Sequence, residues 1–175
     1  LNATTLAADV LVIGSPGCGV GHVEFWYRFA ADNATWGNWT NCGNDTDGTN
    51  GWSINFNFPD GSGYYEFYSR AGDLLGHYEA APPVCDTLCG YDIVAPSSFI
   101  EPIVPYWNNA PVTLVANASD SPAGIGHVEF WYRFALDNVT WGVWTLIGND
   151  TDPTGGWTMN FNFPDAEGFY EFYSV

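Results

Sequence analysis

The feature of this sequence that most constrains its fold is an internal repeat. Residues 21–70 recur without a gap as residues 126–175, and 37 of the 50 aligned positions are identical. Self-similarity at a fixed period is typical of chains built from repeated structural units. The sequence therefore predicts two domains, residues 1–92 and residues 93–175, with a cysteine-containing connector at the end of the first.

The match continues upstream of the repeat once one residue is inserted in the first copy. Ser15 then corresponds to Ser121, and Asn2 corresponds to Asn109. The chain is therefore two copies of one module.

The two copies begin and end at different points of the repeat. The second copy opens with a strand-like segment, residues 97–107, where the first has only Leu1. The first copy closes with residues 71–92, whereas the second stops at Val175. We expect the first module to lack its opening strand and the second its closing strand, with Leu1 a processed or truncated start. Either the chain is one part of a longer array of repeats, or neighbouring molecules complete the modules.

Short segments of alternating apolar and polar residues predict half-buried strands. The apolar positions of three such segments are Val23, Phe25, Tyr27 and Phe29; Trp52, Ile54, Phe56 and Phe58; and Val112, Leu114, Ala116 and Ala118. No segment has a helical period. About seven short strands per 100 residues are typical of an immunoglobulin-like sandwich. The sequence therefore predicts an all-β protein of two tandem immunoglobulin-like antiparallel β-sandwich modules.

The charge of the chain excludes several classes of partner. Twenty acidic residues stand against three arginines, and the net charge is −17. Such a surface repels nucleic-acid phosphates and anionic lipid. No apolar run is long enough to predict a membrane span.

Asn-x-Ser/Thr sequons indicate an extracellular or cell-surface protein. The seven sequons, far more than chance placement of the asparagines would give, are at Asn2, Asn33, Asn38, Asn44, Asn117, Asn138 and Asn149. Two pairs, Asn33 with Asn138 and Asn44 with Asn149, occupy matched positions that the sequence places in turns. We predict N-linked glycans first at these four residues, and then at Asn38, Asn117 and Asn2.

The four cysteines allow three disulfide connectivities. Cys18 and Cys42 have no counterpart in the second copy, and their joint absence there suggests that they pair. Cys85 and Cys89 would then close a tight loop in the connector. A zinc site that adds His77 to the last two cysteines is the alternative.

An Asx-rich loop after Asn44 resembles a calcium site, with oxygen-bearing side chains at alternating positions. Its candidate ligands are Asp45, Asp47 and Asn50, and the second copy has Gly155 in place of Asn50. The other interpretation is a glycosylated turn held by its own side chains. We expect no cofactor besides N-linked glycans, with calcium as the alternative at this loop.

Three tryptophans in each copy are candidates for a platform on which sugar rings stack. They are Trp26, Trp36 and Trp39 in the first copy and Trp131, Trp141 and Trp144 in the second. The alternative is that the rings cover the edges of the core. In the predicted sheet Arg28 would pair with Glu66, and Arg133 with Glu171, as cross-strand ion pairs stacked on Trp26 and Tyr68 or their equivalents.

No catalytic constellation is apparent. His22 and His127 lie two positions before Glu24 and Glu129, but there is no nucleophile motif, phosphate loop or third orienting group. The sequence therefore predicts a protein that is not an enzyme.

The runs VEFWYRFAADNATWGNWT, GWSINFNFP and GYYEFYS resemble the immunoglobulin-like tandem repeats of large secreted or surface proteins of archaea and bacteria. Those repeats commonly continue with a segment that is matched here by Ala71, Asp73, Gly76 and Glu79. The resemblance covers almost the whole chain. It implies a fold and a surface setting, and it implies no catalytic residues.

The sequence thus predicts a structural subunit of an extracellular glycosylated filament, stalk or surface layer. Copies of the chain would join head to tail, with a strand of one filling the gap in the next. The expected gap lies after Val175, where the first copy continues into residues 71–79, and the expected donor is the apolar segment of residues 1–13. The alternative function is an adhesin or carbohydrate-binding module of a larger surface protein.

Overall fold

The computed structural model describes residues 3–10 and 19–175. The predictions that concern Asn2 and Cys18, and with them a Cys18–Cys42 disulfide, lie outside the described residues and stay predictions. The chain divides into two compact units, Leu1–Ile93 and Val94–Val175.

The described residues of the first unit form six strands and one short 3₁₀ turn, Gly48–Asn50. The strands are β1 (Thr4–Ala8), β2 (Val20–Ala30), β3 (Thr40–Asp45), β4 (Trp52–Phe56), β5 (Gly63–Asp73) and β6 (Thr87–Tyr91). β1 pairs with β4, and the other four form a sheet in the order β3-β2-β5-β6. Every pairing is antiparallel.

The second unit also contains six strands. They are β7 (Ser97–Ile100), β8 (Val112–Ser119), β9 (Val128–Ala135), β10 (Thr145–Asp150), β11 (Trp157–Phe161) and β12 (Phe169–Ser174). One sheet has the order β7-β8-β11 and the other β10-β9-β12, again with antiparallel pairing throughout.

The all-β prediction is confirmed. The described residues contain no α-helix, and none of their elements is a helix long and apolar enough to cross a membrane. The period-2 pattern explains the strands, since each one presents alternate side chains to opposite faces. In β8, for example, Leu114 and Ala116 are buried, while Thr113, Val115 and Asn117 are exposed.

In each unit the core is formed by residues of both sheets. In the first unit Phe56 of β4 packs with Tyr65 and Phe67 of β5. In the second unit the buried cluster comprises Leu114, Ala116, Val128, Phe130, Trp157 and Phe161. Removal of this apolar surface from water is the main stabilisation available to strands that carry so few ion pairs.

The alignment upstream of the repeat is corrected by the strand register. Leu6 pairs with Ile54, and Leu114 pairs with Met159, which is the counterpart of Ile54. Leu6 therefore corresponds to Leu114, one position away from the alignment that matches Asn2 with Asn109. A slip of one residue would turn the leucine side chain to the outer face, so the inward-facing pattern fixes the register.

The predicted Cys85–Cys89 disulfide is wrong. The three cysteines that the structure describes are all unbonded thiols. Cys89 packs on the inner face, against the Phe56 cluster, whereas Cys85 lies beside the Glu66 carboxylate on the opposite face of the sheet.

Candidate functional site

The two units differ in which strand edge is covered. In the first unit β6 pairs along β5, with Tyr65 opposite Cys89 and Phe67 opposite Thr87. The counterpart of β5 in the second unit is β12, and among the described residues of that unit no strand pairs with its outer edge. β12 is therefore an edge strand among the described residues of the second unit.

The sequence placed the strand that closes the first unit too early. Residues 71–79 do not form it, because β5 itself continues to Asp73 and the chain then folds back. The fold-back is held by the Glu79 N–H, which donates to the Ala71 carbonyl at 2.9 Å. The closing strand is β6, which lies farther along the chain.

A cleft of about 840 Å³ lies along the bare β12 edge. Gly168, Tyr170 and Phe172 of this edge and the segment that follows β7 line its walls. Trp107 of that segment packs on Phe169, with ring centroids 5.7 Å apart. The cleft thus occupies the place that β6 takes beside β5 in the first unit.

Side chains along β12 are more exposed than their counterparts along β5. Glu66 is 13% exposed and its counterpart Glu171 is 45% exposed. Tyr65 is fully buried, whereas Tyr170 is only half-buried. The difference follows from the strand that covers one edge and not the other.

The opposite edge shows the reverse arrangement. In the second unit β7 pairs with β8, and Leu114 of β8 is fully buried. In the first unit β1 pairs with β4 alone among the described strands, and its Leu6 is half-buried. Among the described strands, β5 and β8 are therefore paired on the edge where their counterparts β12 and β1 are not.

Part of the predicted donor segment already pairs with a strand of its own unit. Residues 4–8 of the expected donor, residues 1–13, form β1 and pair with β4 over five positions. The strand is needed there because Leu6 packs against the Phe56 cluster. This segment is therefore not a free arm in the described structure.

The outer face of each larger sheet carries an ion pair between aromatic rings. Arg28 contacts Glu66 at 2.5 Å, and Arg133 contacts Glu171 at 2.5 Å, as predicted. The stacking partners differ from the prediction. The Arg28 guanidinium lies over Trp36 and Trp39, at 5.2 and 4.7 Å from the ring centroids, and not over Trp26 or Tyr68.

Trp26 and Tyr68 instead stack on each other, with ring centroids 5.9 Å apart. The Trp26 indole N–H donates to Glu24, which also accepts from Arg70 at 2.7 Å. In the second unit Arg133 likewise lies over Trp141 and Trp144, and Trp131 stacks on Tyr173. These tryptophan rings are thus in contact with neighbouring side chains, although Trp144 remains 36% exposed.

The sequons that the structure describes are all on exposed residues. Asn33 and Asn138 lie in matched turns, both with φ of 57°. Asn44 and Asn149 were predicted in turns as well, but they lie inside β3 and β10. Their side chains reach solvent nonetheless, because both are outward positions of an edge strand.

Asn117 and Asn38 differ in their surroundings. The side-chain amide of Asn117 donates to the Glu101 carboxylate, so the atom that would carry a glycan already has a partner. Asn38 lies in the exposed connection between β2 and β3. Asn38 is therefore the better placed of the two to carry a glycan.

The calcium-like loop is held by its own backbone. Asp45 accepts from the N–H groups of Asp47 and Ser53, and Asp47 accepts from Thr49. Asp150 and Asp152 repeat these bonds in the second unit. In the described residues no group of three or more His, Cys, Asp or Glu side chains comes together as a metal site would require.

A second Asx turn precedes the Asn33 sequon, and it yields a pH prediction. The Thr35 N–H, then the Ala34 N–H and the Thr35 hydroxyl hold the pKa of Asp32 down to about 2. An unfolded aspartate titrates near 3.9, so the turn is stabilised at pH values above about 4. That stabilisation is expected to disappear as the pH falls from about 4 to about 2.

The Thr35 amide shift, followed by NMR, should titrate with a midpoint near 2. The control is Asp32→Ala, which should abolish this titration. Asp137 accepts the matching bonds from Val139 and Thr140, and its pKa is lowered for the same reason. A midpoint near 4 at Thr35 would show that the turn does not hold the carboxylate.

His22 and His77 belong to the first unit, whereas the residues that line the cleft belong to the second. His22 packs edge-on against Tyr78, with ring centroids 5.2 Å apart. His77, the zinc candidate, pairs with Asp73 at 2.8 Å.

Comparisons with known proteins supply no relative. The chain matches no protein-family model, no curated protein and no solved structure.

Sequence reasoning missed the residues that make the cleft. Phe163 adopts φ of 48° and lines the cleft, and Trp107 packs at its opposite wall. Phe58 has the same unusual backbone angle, at 49°. The shared Asn-Phe-Pro run of both copies was the available signal, but a left-handed phenylalanine cannot be recognised from it.

Proposed function

We propose that the chain is a structural subunit of an extracellular, glycosylated filament, stalk or surface layer. Its two units are immunoglobulin-like β-sandwich modules, and copies of it join head to tail by strand complementation. The observation that carries the proposal is the bare β12 edge beside a cleft, at the position where β5 of the first unit carries β6.

A bare, flat strand edge is sticky, and soluble proteins usually cover or charge it. Among the described strands, the edge without a partner in the second unit is that of β12, the counterpart of β5, and in the first unit it is that of β1. Contacts between unlike surfaces are heterologous, and they generate open fibres when the rotation does not close. This favours a polymer over a closed dimer.

The strand order supports the finer fold proposal. Sheets of the order β7-β8-β11 and β10-β9-β12 correspond to the two sheets of a sandwich of this class, with the last strand of the second sheet supplied by β6 in the first unit. The exposed sequons support the extracellular setting. The net charge of −17 favours solubility of the surface outside the contacts between copies.

The binding-module alternative has less support. A carbohydrate platform needs ring faces open to solvent. Arg28 covers one face of Trp36 and Trp39, and Arg133 does the same in the second unit. These rings therefore pack on the arginines of the Arg28–Glu66 and Arg133–Glu171 ion pairs.

The proposal predicts open-ended association. Sedimentation of the native glycoprotein over a range of concentrations should give a series of species that grows without a limiting size. A single closed species, or only monomers at every concentration, would contradict head-to-tail assembly.

Glycosylation is a separate prediction. Mass spectra of peptides from the native protein should show N-linked glycans at Asn33, Asn44, Asn138 and Asn149, because all four side chains are exposed at matched positions. Asn117 should be less occupied, because its amide is bonded to Glu101. Unmodified asparagine at all four matched sites would remove the main support for an extracellular location.

A further inference from the structure

We propose that the N-linked glycan on Asn138 packs against the side chains beside its own attachment site, Leu136 and Val139. The glycan on Asn33, at the matched position of the first unit, makes no such contact. The inference rests on the proposed function, in which Asn138 is glycosylated, and it assigns a protein surface to the first sugars of that glycan. Three features of the connection between β9 and β10, residues 136–144, carry it.

The first feature is a set of aliphatic side chains that are exposed to solvent. Leu136 is 71% exposed, Val139 is 79% exposed and Val143 is 85% exposed. Their counterparts in the first unit are Ala31, Ala34 and Asn38. The connection of the second unit therefore carries more exposed apolar surface than its counterpart, and it has no sequon at the position of Asn38.

The exposure of these positions does not depend on where the chain ends. The first unit continues beyond β5, the counterpart of β12, into β6. Ala31, Ala34 and Asn38 are exposed in that unit as well. The connection is thus open to solvent in the unit whose last strand is covered.

The second feature is the position of Asn138 among the aliphatic side chains. Leu136 lies two residues before it, and Val139 follows it directly. Two residues of chain span at most about 7 Å. The first sugar ring, which is joined to the Asn138 side chain, is therefore within reach of both.

The third feature is the rigid turn that holds the attachment site. Asp137 accepts from the N–H groups of Val139 and Thr140, at 2.9 and 2.7 Å, and from the Thr140 hydroxyl. Asn138 has a left-handed backbone, with φ of 57°. Because the turn is already fixed, little further conformational entropy is lost when a sugar settles on its neighbours.

The attached glycan is the occupant that these features favour. The faces of a sugar ring present C–H groups, which gain from contact with aliphatic side chains as other apolar groups do. A protein partner would first have to displace a bulky, solvated chain from between Leu136 and Val139. In the first unit the two alanines offer little surface, and the Asn38 sequon places a second glycan five residues from Asn33.

The test compares variants of the full chain that carry their native glycans. Asn138→Asp removes the acceptor amide and keeps a residue that tolerates the left-handed backbone. Asn33→Asp is the matched control, since it adds the same charge at the same turn. The measurement is hydrogen exchange of three amides that donate hydrogen bonds within the connection, those of Val139, Thr140 and Gly142.

Without the Asn138 glycan these three amides should exchange about tenfold faster. This is the factor expected when roughly 60 Å² of apolar surface returns to water. In Asn33→Asp the rates of the matched amides should rise less than about twofold, because alanines cover little surface. The matched amides are those of Ala34, Thr35 and Gly37.

A second pair of variants keeps both sequons and changes the surface beside them. Leu136→Ala with Val139→Ala should reduce the effect of Asn138→Asp to less than about twofold. Ala31→Leu with Ala34→Val should give the first unit the tenfold effect. All four positions are exposed, so these substitutions should leave the fold intact.

Equal effects of Asn138→Asp and Asn33→Asp would overturn the inference, and so would a full effect of Asn138→Asp in the double alanine variant. If the double alanine variant sediments as smaller species than the native protein, these side chains join copies of the chain, which also overturns it.

Mass spectra of the same samples separate this inference from the proposed function. A glycan on Asn138 without the tenfold protection defeats the inference alone. Unmodified Asn138 beside glycans on Asn33, Asn44 and Asn149 also defeats it, but it leaves the extracellular setting supported.

Discussion

Replacing Tyr65 by alanine is expected to lower the free energy of unfolding of the first unit by about 3–5 kcal/mol. The side chain is fully buried, and its ring contacts those of Phe56, Phe58 and Phe67. Its hydroxyl donates to the Gly61 carbonyl at 2.8 Å. A loss of this size is a large fraction of the stability of an ordinary domain.

The measurement is hydrogen exchange of the β2 and β5 amides as urea is raised, which reports on the first unit alone. Tyr65→Phe is the control, and it should cost about 1 kcal/mol because only the hydroxyl bonds are lost. Tyr170→Ala, at the counterpart position on the bare edge, should cost less than Tyr65→Ala. Equal losses at the two tyrosines would mean that β6 does not bury the first of them.

Replacing Glu66 by glutamine is expected to cost about 2 kcal/mol, because Arg28 loses the counter-charge of a carboxylate that is mostly shielded from solvent. Glu66 is 13% exposed and lies against Arg28 at 2.5 Å. The same change at Glu171, which is 45% exposed, should cost about 1 kcal/mol or less, because solvent screens the pair.

This matched pair tests the difference between the two edges. Denaturant unfolding of each variant gives the loss, and the double variant Arg28→Met with Glu66→Gln should recover part of it, since no unpaired charge is then left. If Glu171→Gln cost as much as Glu66→Gln, the bare edge of the second unit would be covered in solution.

The sequence was sufficient for the strands and for their faces. Period-2 alternation located β2, β4 and β8, and it assigned Leu114 and Ala116 to the core and Asn117 to solvent. The ion pair of Arg28 with Glu66 followed from strand adjacency alone. Such features depend on the alternation of apolar and polar residues and on which strands are neighbours. Both can be read twice in this chain, once in each copy of the repeat.

The features that failed depend on long-range placement. Cys85 and Cys89 are close in sequence, but Cys85 precedes β6 and lies beside Glu66, whereas Cys89 packs against the Phe56 cluster on the inner face. The stacking of Arg28 on Trp36 and Trp39 depends on how the β2–β3 connection folds back, which no periodicity encodes. The closing strand was misplaced because residues 74–86 intervene between β5 and β6 without any strand pattern of their own.

The measurement that tests the central claim most directly is electron microscopy of the native glycoprotein. The proposal predicts fibres in which density for an added strand runs along β12, antiparallel to it and beside Phe163 and Trp107. Dispersed particles whose β12 edge is bare, or fibres joined by a surface other than this edge, would contradict it.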